Sequence, residues 1–453
     1  MASSSAPVTK AEDDAPGVAY RAYVLFILVV VYTFNFIDRQ ILSILAVPIK
    51  AELGLTDTQI GLMSGLAFAL FYATLGVPIA MLADRSSRVR IMAVALTLWS
   101  AMTAVCGLAG NFWQLFWARL GVGVGEAGGV APAYSIIADY FPPKERARAL
   151  AVYSLGIPIG SALGIVLGGI LAELLNWRAA FFLMGLAGVA VAPIFWLTVR
   201  EPMRGRFDAT KPPAPTAPMA FIGEILSKLA SKPSFWLLSI GAAFSSMMGY
   251  GLILWLPSFL VRSFGADLAP FFSFLPDFLV PADATPLRYA SYFYGSILLV
   301  GGTIGIYAGG FLADKYGEGR KSVYAFVPAI AFLLTVPLLI TGLLTPTLGL
   351  AFIVFMGVQA LSLVWLGPVI TAFQHLVPPH MRATASAVFL LINNLIGIGV
   401  GQTVTGYMSE LLRAQYGDES LRYSLLVGTS FYVIAAIFML IVARRLHRDW
   451  EEA

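Results

Sequence analysis

Hydrophobic residues in this chain gather into twelve long runs separated by short polar breaks, at 22–47, 57–82, 91–110, 112–138, 149–172, 179–199, 234–261, 288–312, 321–342, 347–372, 384–409 and 422–443. Each run is about 20 residues or longer, the length a helix needs to cross ~30 Å of hydrocarbon with every backbone polar group bonded inside the segment. The pattern predicts an all-α membrane protein with twelve transmembrane helices. Its expected organisation is a disordered tail (1–21), a first six-helix bundle (22–199), a linker (200–233), a second six-helix bundle (234–443) and a short tail (444–453).

The two halves repeat each other. Leu82, Ala83, Asp84 and Arg85 close one apolar run and open a basic turn, and Leu312, Ala313, Asp314 and Lys315 do the same 230 residues later. Pro142, Pro143, Arg146 and Ala147 are answered by Pro378, Pro379, Arg382 and Ala383 at an interval of 236. Two copies of one six-helix unit, arranged as pseudo-symmetric bundles, are the simplest account, and parallel repeats of this kind mark one large class of transporters.

Composition agrees, with 58% hydrophobic residues, 12% charged residues and a mean hydropathy of +0.81. Of the 29 Lys and Arg residues, 21 fall on the side holding both termini and six on the other, while Arg39 and Arg119 lie inside spans. Cytoplasmic loops retain positive charge, so both termini are expected in the cytoplasm; the expected location is the inner membrane of a bacterium. That face accounts for the net charge of +4 without any nucleic-acid partner. The first span is too long, and lacks the cleavage signals, for a removable signal peptide. The only cysteine, Cys106, lies in an apolar run, which excludes an intrachain disulfide.

The linker holds Pro202, Pro212, Pro213, Pro215 and Pro218 among basic residues, and Phe221 to Leu229 alternates with helical spacing, as a surface-lying helix or a plain tether would. The longest loop on the opposite side, 262–287, reads as a connector or as a cap over an opening.

The residues after spans 2 and 8 resemble the signature loop of the major facilitator superfamily. The second copy carries Gly310, Leu312, Asp314, Lys315, Gly317, Arg320 and Lys321, with one residue inserted; the first keeps Asp84, Arg85 and Arg88 but has Ala80 and Ser87 in place of glycines. The resemblance implies a latch, in which Asp84, Arg85, Arg88, Asp314, Lys315 and Arg320 hold the halves together until the inside opens. Within that superfamily, Asn35 to Arg39 in span 1 and Arg119 to Ala127 in span 4, with Pro132 and Tyr134, resemble the Spinster family of lipid transporters. Prokaryotic organic-anion and hexuronate carriers share parts of these patterns.

Four charges fall inside the first-half spans, where an ionisable side chain is costly and is normally kept for a pathway or a coupled ion. Asp38 lies 9 residues from the end of span 1, roughly 13 Å deep, and Arg119 lies ~12 Å from the same face, so an ion pair between them is expected. Arg39 projects about 100° away and is the candidate to meet an anionic headgroup. Glu126 follows Arg119 by two turns on one face, amid Gly121, Gly123, Gly125, Gly128 and Gly129, which permit close helix contact. Asp38 and Glu126 are expected to exchange protons, with Arg39 and Arg119 alternating between them and the substrate; a static ion-pair network is the alternative.

In span 5, Gly156, Gly160, Gly164 and Gly168 at four-residue spacing, with Pro158 among them, predict a close helix contact and a hinge. Tyr250, Trp255, Gln359, Trp365, Asn393 and Asn394 are candidates for the second-half wall of the cavity. With charge on one wall and apolar and aromatic groups on the other, the cavity fits an amphipathic substrate better than a sugar.

No enzyme is expected: His375, His380 and His447 lie near membrane ends or in the tail, and neither a catalytic pair nor a phosphate-binding loop is evident. No cofactor or metal is implied. The expectation is a monomeric, proton-coupled secondary transporter of an amphipathic anionic lipid working by alternating access, with a carrier of soluble organic anions or drugs, or a passive lipid scramblase, as the alternatives.

Overall fold

The computed structural model describes residues 17–83, 85–207, 218–281, 283–317, 319–378 and 381–451. Eleven helical stretches are long and apolar enough to cross a membrane, and the last of them, Ala385–Asp449, contains two helices. It turns back at Gly417, whose φ of +55° favours a residue without a Cβ, so Gly401–Tyr416 and Ser420–Asp449 pack side by side as spans 11 and 12. Twelve crossings return both termini to one end, here the terminal end; the opposite one is the far end.

Helices overrun several expected ends. Span 1 runs Val18–Leu53 and span 7 runs Pro233–Phe264, because polar residues such as Lys50 and Arg262 continue the helix beyond the apolar run. The duplication reappears in three dimensions. Span 3 packs on span 6 as span 9 packs on span 12, and π-helical turns interrupt span 2 at Met63–Ala67 and span 8 at Ile297–Gly301, 234 residues apart. Large apolar side chains facing outward, including Trp113, Trp117, Leu197, Tyr307 and Ile353, form the surface that a bilayer covers. The chain is thus a multi-pass membrane protein.

The linker helix exists, as Pro218–Ala230, with Ile225 and Leu229 buried against the second bundle rather than presented outward. Residues 208–217 and the tail up to residue 16 lie outside the described residues. In the long loop, Phe271 and Phe272 pack on Phe293, Phe352 and Tyr289, tying the segment to the far end of the second bundle.

Ion pairs that join the halves, among the described residues, all lie at the far end: Arg262 with Asp57, Lys50 with Glu410, and Arg288 with Glu173.

Candidate functional site

Successive residues of a helix fan out by 100°, so Asp38 and Arg39 serve different sides of span 1. Asp38 is fully buried and points toward span 3, beside the Ser100 and Thr103 hydroxyls. Among the described residues those two hydroxyls are the donors nearest its carboxyl oxygens, and neither stands at full hydrogen-bonding geometry. Arg119 reaches the same residue from span 4, but its Nη1 donates to the Asp38 main-chain carbonyl at 3.0 Å. The expected carboxylate pair is therefore corrected to a main-chain contact. The depths do match; the short Asp38 side chain is aimed at span 3, which leaves only its carbonyl facing span 4.

Arg39 donates through Nε to Glu126, an ion pair between spans 1 and 4 with the carboxylate side chain fully buried. Its guanidinium also lies over the rings of Tyr72, Phe68 and Phe36, at 4.5, 5.0 and 5.2 Å. Carboxylate and aromatic faces together offset the cost of holding the cation there. Span 4 breaks immediately beyond: the helix Phe112–Glu126 ends in tight turns, Gly128 N–H to the Gly125 carbonyl and Gly129 N–H to that of Glu126, before Val130–Tyr140 resumes. The glycines earn this closeness. A Cβ on Gly125 would stand 2.6 Å from Trp99 N, and one on Gly123 2.6 Å from the Phe68 carbonyl.

Between the halves lies a narrow cavity lined by Arg39, Gln40, Ser43, Ser64, Phe68 and Arg119 of the first half and by Tyr250, Ile253, Leu254, Ile398 and Gln402 of the second. Its free volume of about 20 Å³ has room for roughly one water. Buried polar groups crowd this region: Gln40, Ser43, Ser64 and Gln402 each carry an atom without a protein partner among the described residues, Asn35 lies beside Glu126, and Ser100 and Thr103 lie beside Asp38. Native interiors hold few such atoms, so each calls for a partner that the protein itself does not supply.

Of the six candidate wall residues only Tyr250 lines this cavity. Trp255 is buried and donates Nε1–H to the Gln402 carbonyl at 3.1 Å. Asn393 accepts from the Ser246 hydroxyl at 2.8 Å, Gln359 lies against Gly301, Trp365 packs near Phe389, and Asn394 is half-buried outside the lining. Trp255, Asn393, Gln359 and Trp365 are thus engaged in helix contacts. Sequence reading missed Gln40, Ser43, Ser64 and Gln402; the signal available was a lone polar residue interrupting an apolar run, which marks Ser64 and Gln402 only weakly.

At the terminal end, Asp84 lies outside the described residues, and Asp314 sits in the helix Gly302–Gly317 with its side chain undescribed. Arg85 and Arg320 are exposed, and Lys315 is held over Phe311 and Tyr316. Arg88, expected to latch the halves, is instead buried inside the first: it donates to Asp139 and Ser135, to Glu201 at 2.8 Å and to the Pro202 carbonyl at 3.0 Å. It opens the helix Arg88–Cys106 and so points back into its own bundle. In span 5 the helix breaks at Leu155, two residues after Tyr153 and just ahead of Pro158, and its glycines lie along span 1. A Cβ on Gly160 would meet the Thr33 carbonyl at 2.4 Å, one on Gly164 the Ile37 carbonyl at 2.8 Å, and one on Gly156 the Tyr32 ring at 3.0 Å. This contact is what sets the depth and facing of Asp38.

Comparison with known proteins agrees with this architecture. The chain is 34% identical to an MFS-type efflux pump of Mycolicibacterium smegmatis, covering 93% of this chain and 92% of the relative. It is 27% identical to human protein spinster homolog 1 over 87% of this chain and 74% of that protein. A crystal structure of a bacterial homolog to the human lysosomal transporter Spinster, inward-facing and unoccupied, superposes with a TM-score of 0.81 at 34% identity, covering 96% of this chain and all of that one. Residues 28–402 match the Major Facilitator Superfamily, and the chain belongs to that superfamily as a Spinster-like membrane transporter.

Proposed function

We propose that this transporter moves an amphipathic anionic lipid, lysophospholipid-like or sphingosine-phosphate-like, by alternating access coupled to protons at Asp38 and Glu126. The observation that carries the reading is the fully buried Asp38 carboxyl, which among the described residues has no cation paired to it and only the Ser100 and Thr103 hydroxyls beside it, placed one helix face away from the Arg39–Glu126 pair at the cavity. A proton on Asp38 and a substrate anion at Arg39 are the two events that relieve these groups. Substrate arriving at Arg39 competes with Glu126, which is then freed to take a proton. The opposite wall of Tyr250, Ile253, Leu254 and Ile398 supports an apolar chain on the substrate.

The cavity in this conformation is too small for such a molecule, so binding requires the halves to part at the terminal end. The excess of Lys and Arg there supports placing that end in the cytoplasm, with the far-end ion pairs closing the outside, and the bacterial relatives support a bacterial inner membrane. Each chain contains a whole pathway, which supports a monomer.

A second reading, export of soluble organic anions or drugs, is favoured by the likeness to the mycobacterial efflux pump. Reconstituted liposomes test both. With a fluorescent lysophospholipid and an imposed pH gradient, gradient-driven movement is expected in the wild type and its loss in Asp38→Asn. Movement indifferent to gradient and mutation indicates a scramblase, and none at all directs attention to soluble anions.

A further inference from the structure

At the far end, well away from Arg39, a second and larger cavity of about 420 Å³ opens between the halves. This is the volume of an ordinary small-molecule site. Ala46, Val47, Lys50, Ala51, Gly54 and Leu55 of span 1 and its following turn, with Ile60 of span 2, form its first-half side. Trp255, Ser258 and Arg262 of span 7, with Arg413, Gly417, Asp418 and Ser420 around the turn between spans 11 and 12, form the other. Three cations and one exposed acid on the rim therefore stand above a floor of Val47, Leu55, Ile60 and Trp255.

Two of those cations also keep the far end shut. Asp57, 1% exposed, receives Arg262 through both nitrogens, Nη1 to Oδ2 at 3.0 Å and Nη2 to Oδ1 at 2.7 Å, together with Lys50 and the Ser409 hydroxyl at 2.8 Å. Its main-chain N–H donates to Glu410 at 2.8 Å. Asp57 and Lys50 belong to the first half, Arg262, Ser409 and Glu410 to the second. Backbones touch here as well: a Cβ on Gly406 would stand 2.4 Å from the Asp57 carbonyl. Lys50 and Arg262 side chains are about one-fifth exposed and both line the cavity, so one guanidinium is shared between a buried carboxylate and the chamber. Among the described residues, Arg413, half-exposed, pairs only with the Glu410 carboxylate one turn away at 3.7 Å.

We propose that this chamber is a binding site for an anionic amphiphile, a phosphate- or carboxylate-type head on an apolar chain, and that its occupant releases the far-end closure by drawing Arg262 and Lys50 away from Asp57. An anion resting against Arg413 lies within reach of both closing cations, and its chain covers Trp255 and the aliphatic floor. Separation of the halves parts Arg262 from Asp57 in any case, and a ligand anion that pairs with Arg262 supplies that cation with a replacement partner in the open state. The ligand thereby favours the open far end by the difference in its affinity for the two states.

The test uses the full chain in phosphatidylcholine nanodiscs, with Cys106→Ala and spin labels at Leu108→Cys and Leu411→Cys, exposed far-end positions on opposite halves. Pulsed dipolar spectroscopy reads the long-distance, open population. Asp57→Asn is expected to raise it with no ligand, which establishes that the labels report the closure. Dodecyl phosphate is expected to raise it saturably, with half-saturation moved upward about tenfold in Arg413→Gln and restored in Arg413→Lys. Equal opening by inorganic phosphate overturns the amphiphile, and equal opening by dodecyl maltoside overturns the requirement for charge. An unchanged distance distribution, or the same response in Arg413→Gln, overturns the site. Transport of any substrate plays no part in the readout, so the chamber stands or falls separately from the function proposed above.

Discussion

Arg39 and Glu126 close a circuit between spans 1 and 4, the cation held by one carboxylate and three aromatic rings and the carboxylate buried completely. Each is the other's neutralising partner, and neither is free to leave unless something replaces it. Glu126→Gln is expected to strand the Arg39 guanidinium, at a cost of about 3–5 kcal/mol. Arg39→Gln in the same background removes the stranded charge and restores most of the thermal stability. Melting followed by fluorescence-detected gel filtration of Glu126→Gln, Arg39→Gln and the double variant measures the coupling between the two changes, and the lipid movement proposed above is expected to be lost in all three. Additive losses of stability overturn the pair.

The contact of spans 1 and 5 is a backbone contact, with the Gly160 Cα against the Thr33 carbonyl. Gly160→Val is expected to force the helices apart and to destabilise the protein by roughly 1–3 kcal/mol, since a core cannot absorb the added methyls without shifting. Gly76→Ala, where a Cβ meets nothing within 4 Å, is expected to be neutral or slightly stabilising. Because the contact orients span 1, Gly160→Val should also lose gradient-driven transport at expression levels where Gly76→Ala keeps it.

Much of this was legible in the sequence, and the boundary is physical. Twelve runs and a duplicated loop read directly, because burial in hydrocarbon imposes length and apolarity on every span. The depth match of Asp38 and Arg119 read correctly too, since rise per residue is fixed. What the helical repeat alone left open was the aim of a short side chain: Asp38 faces Ser100 and Thr103, two residues of a helix remote in sequence. Arg88 misled for a related reason. A basic motif at a span end looks alike whether it pairs across the halves or folds back on Asp139 and Glu201, as it does. The far-end closure left hardly a trace, because Asp57 reads as an ordinary first-turn acid beside the Thr56 cap.

Gly406 makes that closure testable without touching a charge. Its Cα lies against the Asp57 carbonyl and the Trp255 ring, so Gly406→Ala inserts a methyl into the seam between span 11 and the start of span 2. The far end is expected to loosen, raising by several-fold the labelling rate of a cysteine placed at Ser258, in a Cys106→Ala background. Ser258 is buried in the closed state. Unchanged labelling shows that the seam accommodates the methyl and that the ion pairs alone hold the end.

A last expectation concerns pH at the terminal end. Burial on its own would raise the Glu201 carboxyl, but the Val89 N–H, Arg88 and the Ser87 hydroxyl all donate to it and hold it below its ordinary value of 4.5. A carboxyl lowered by folding stabilises the fold fully above its unfolded value and loses that contribution as pH falls through the lower folded one. With its side chain about one-third exposed, the carboxylate is worth ~1 kcal/mol after solvent screening. The segment it pins carries Arg204, whose Nη2 donates to the Ala83 carbonyl at 2.6 Å, and Gly205, whose N–H donates to Asp139 at 3.0 Å. Glu201→Gln is therefore expected to raise the tryptic cleavage rate after Arg204 and Arg206 about fivefold at pH 8, in keeping with ~1 kcal/mol of easier local opening. Hydrogen exchange of the same peptide should show the difference between variant and wild type constant from pH 8 to about 5 and closing below 4.5. A difference that persists unchanged at pH 3 assigns the effect to the shape of the side chain rather than to its charge.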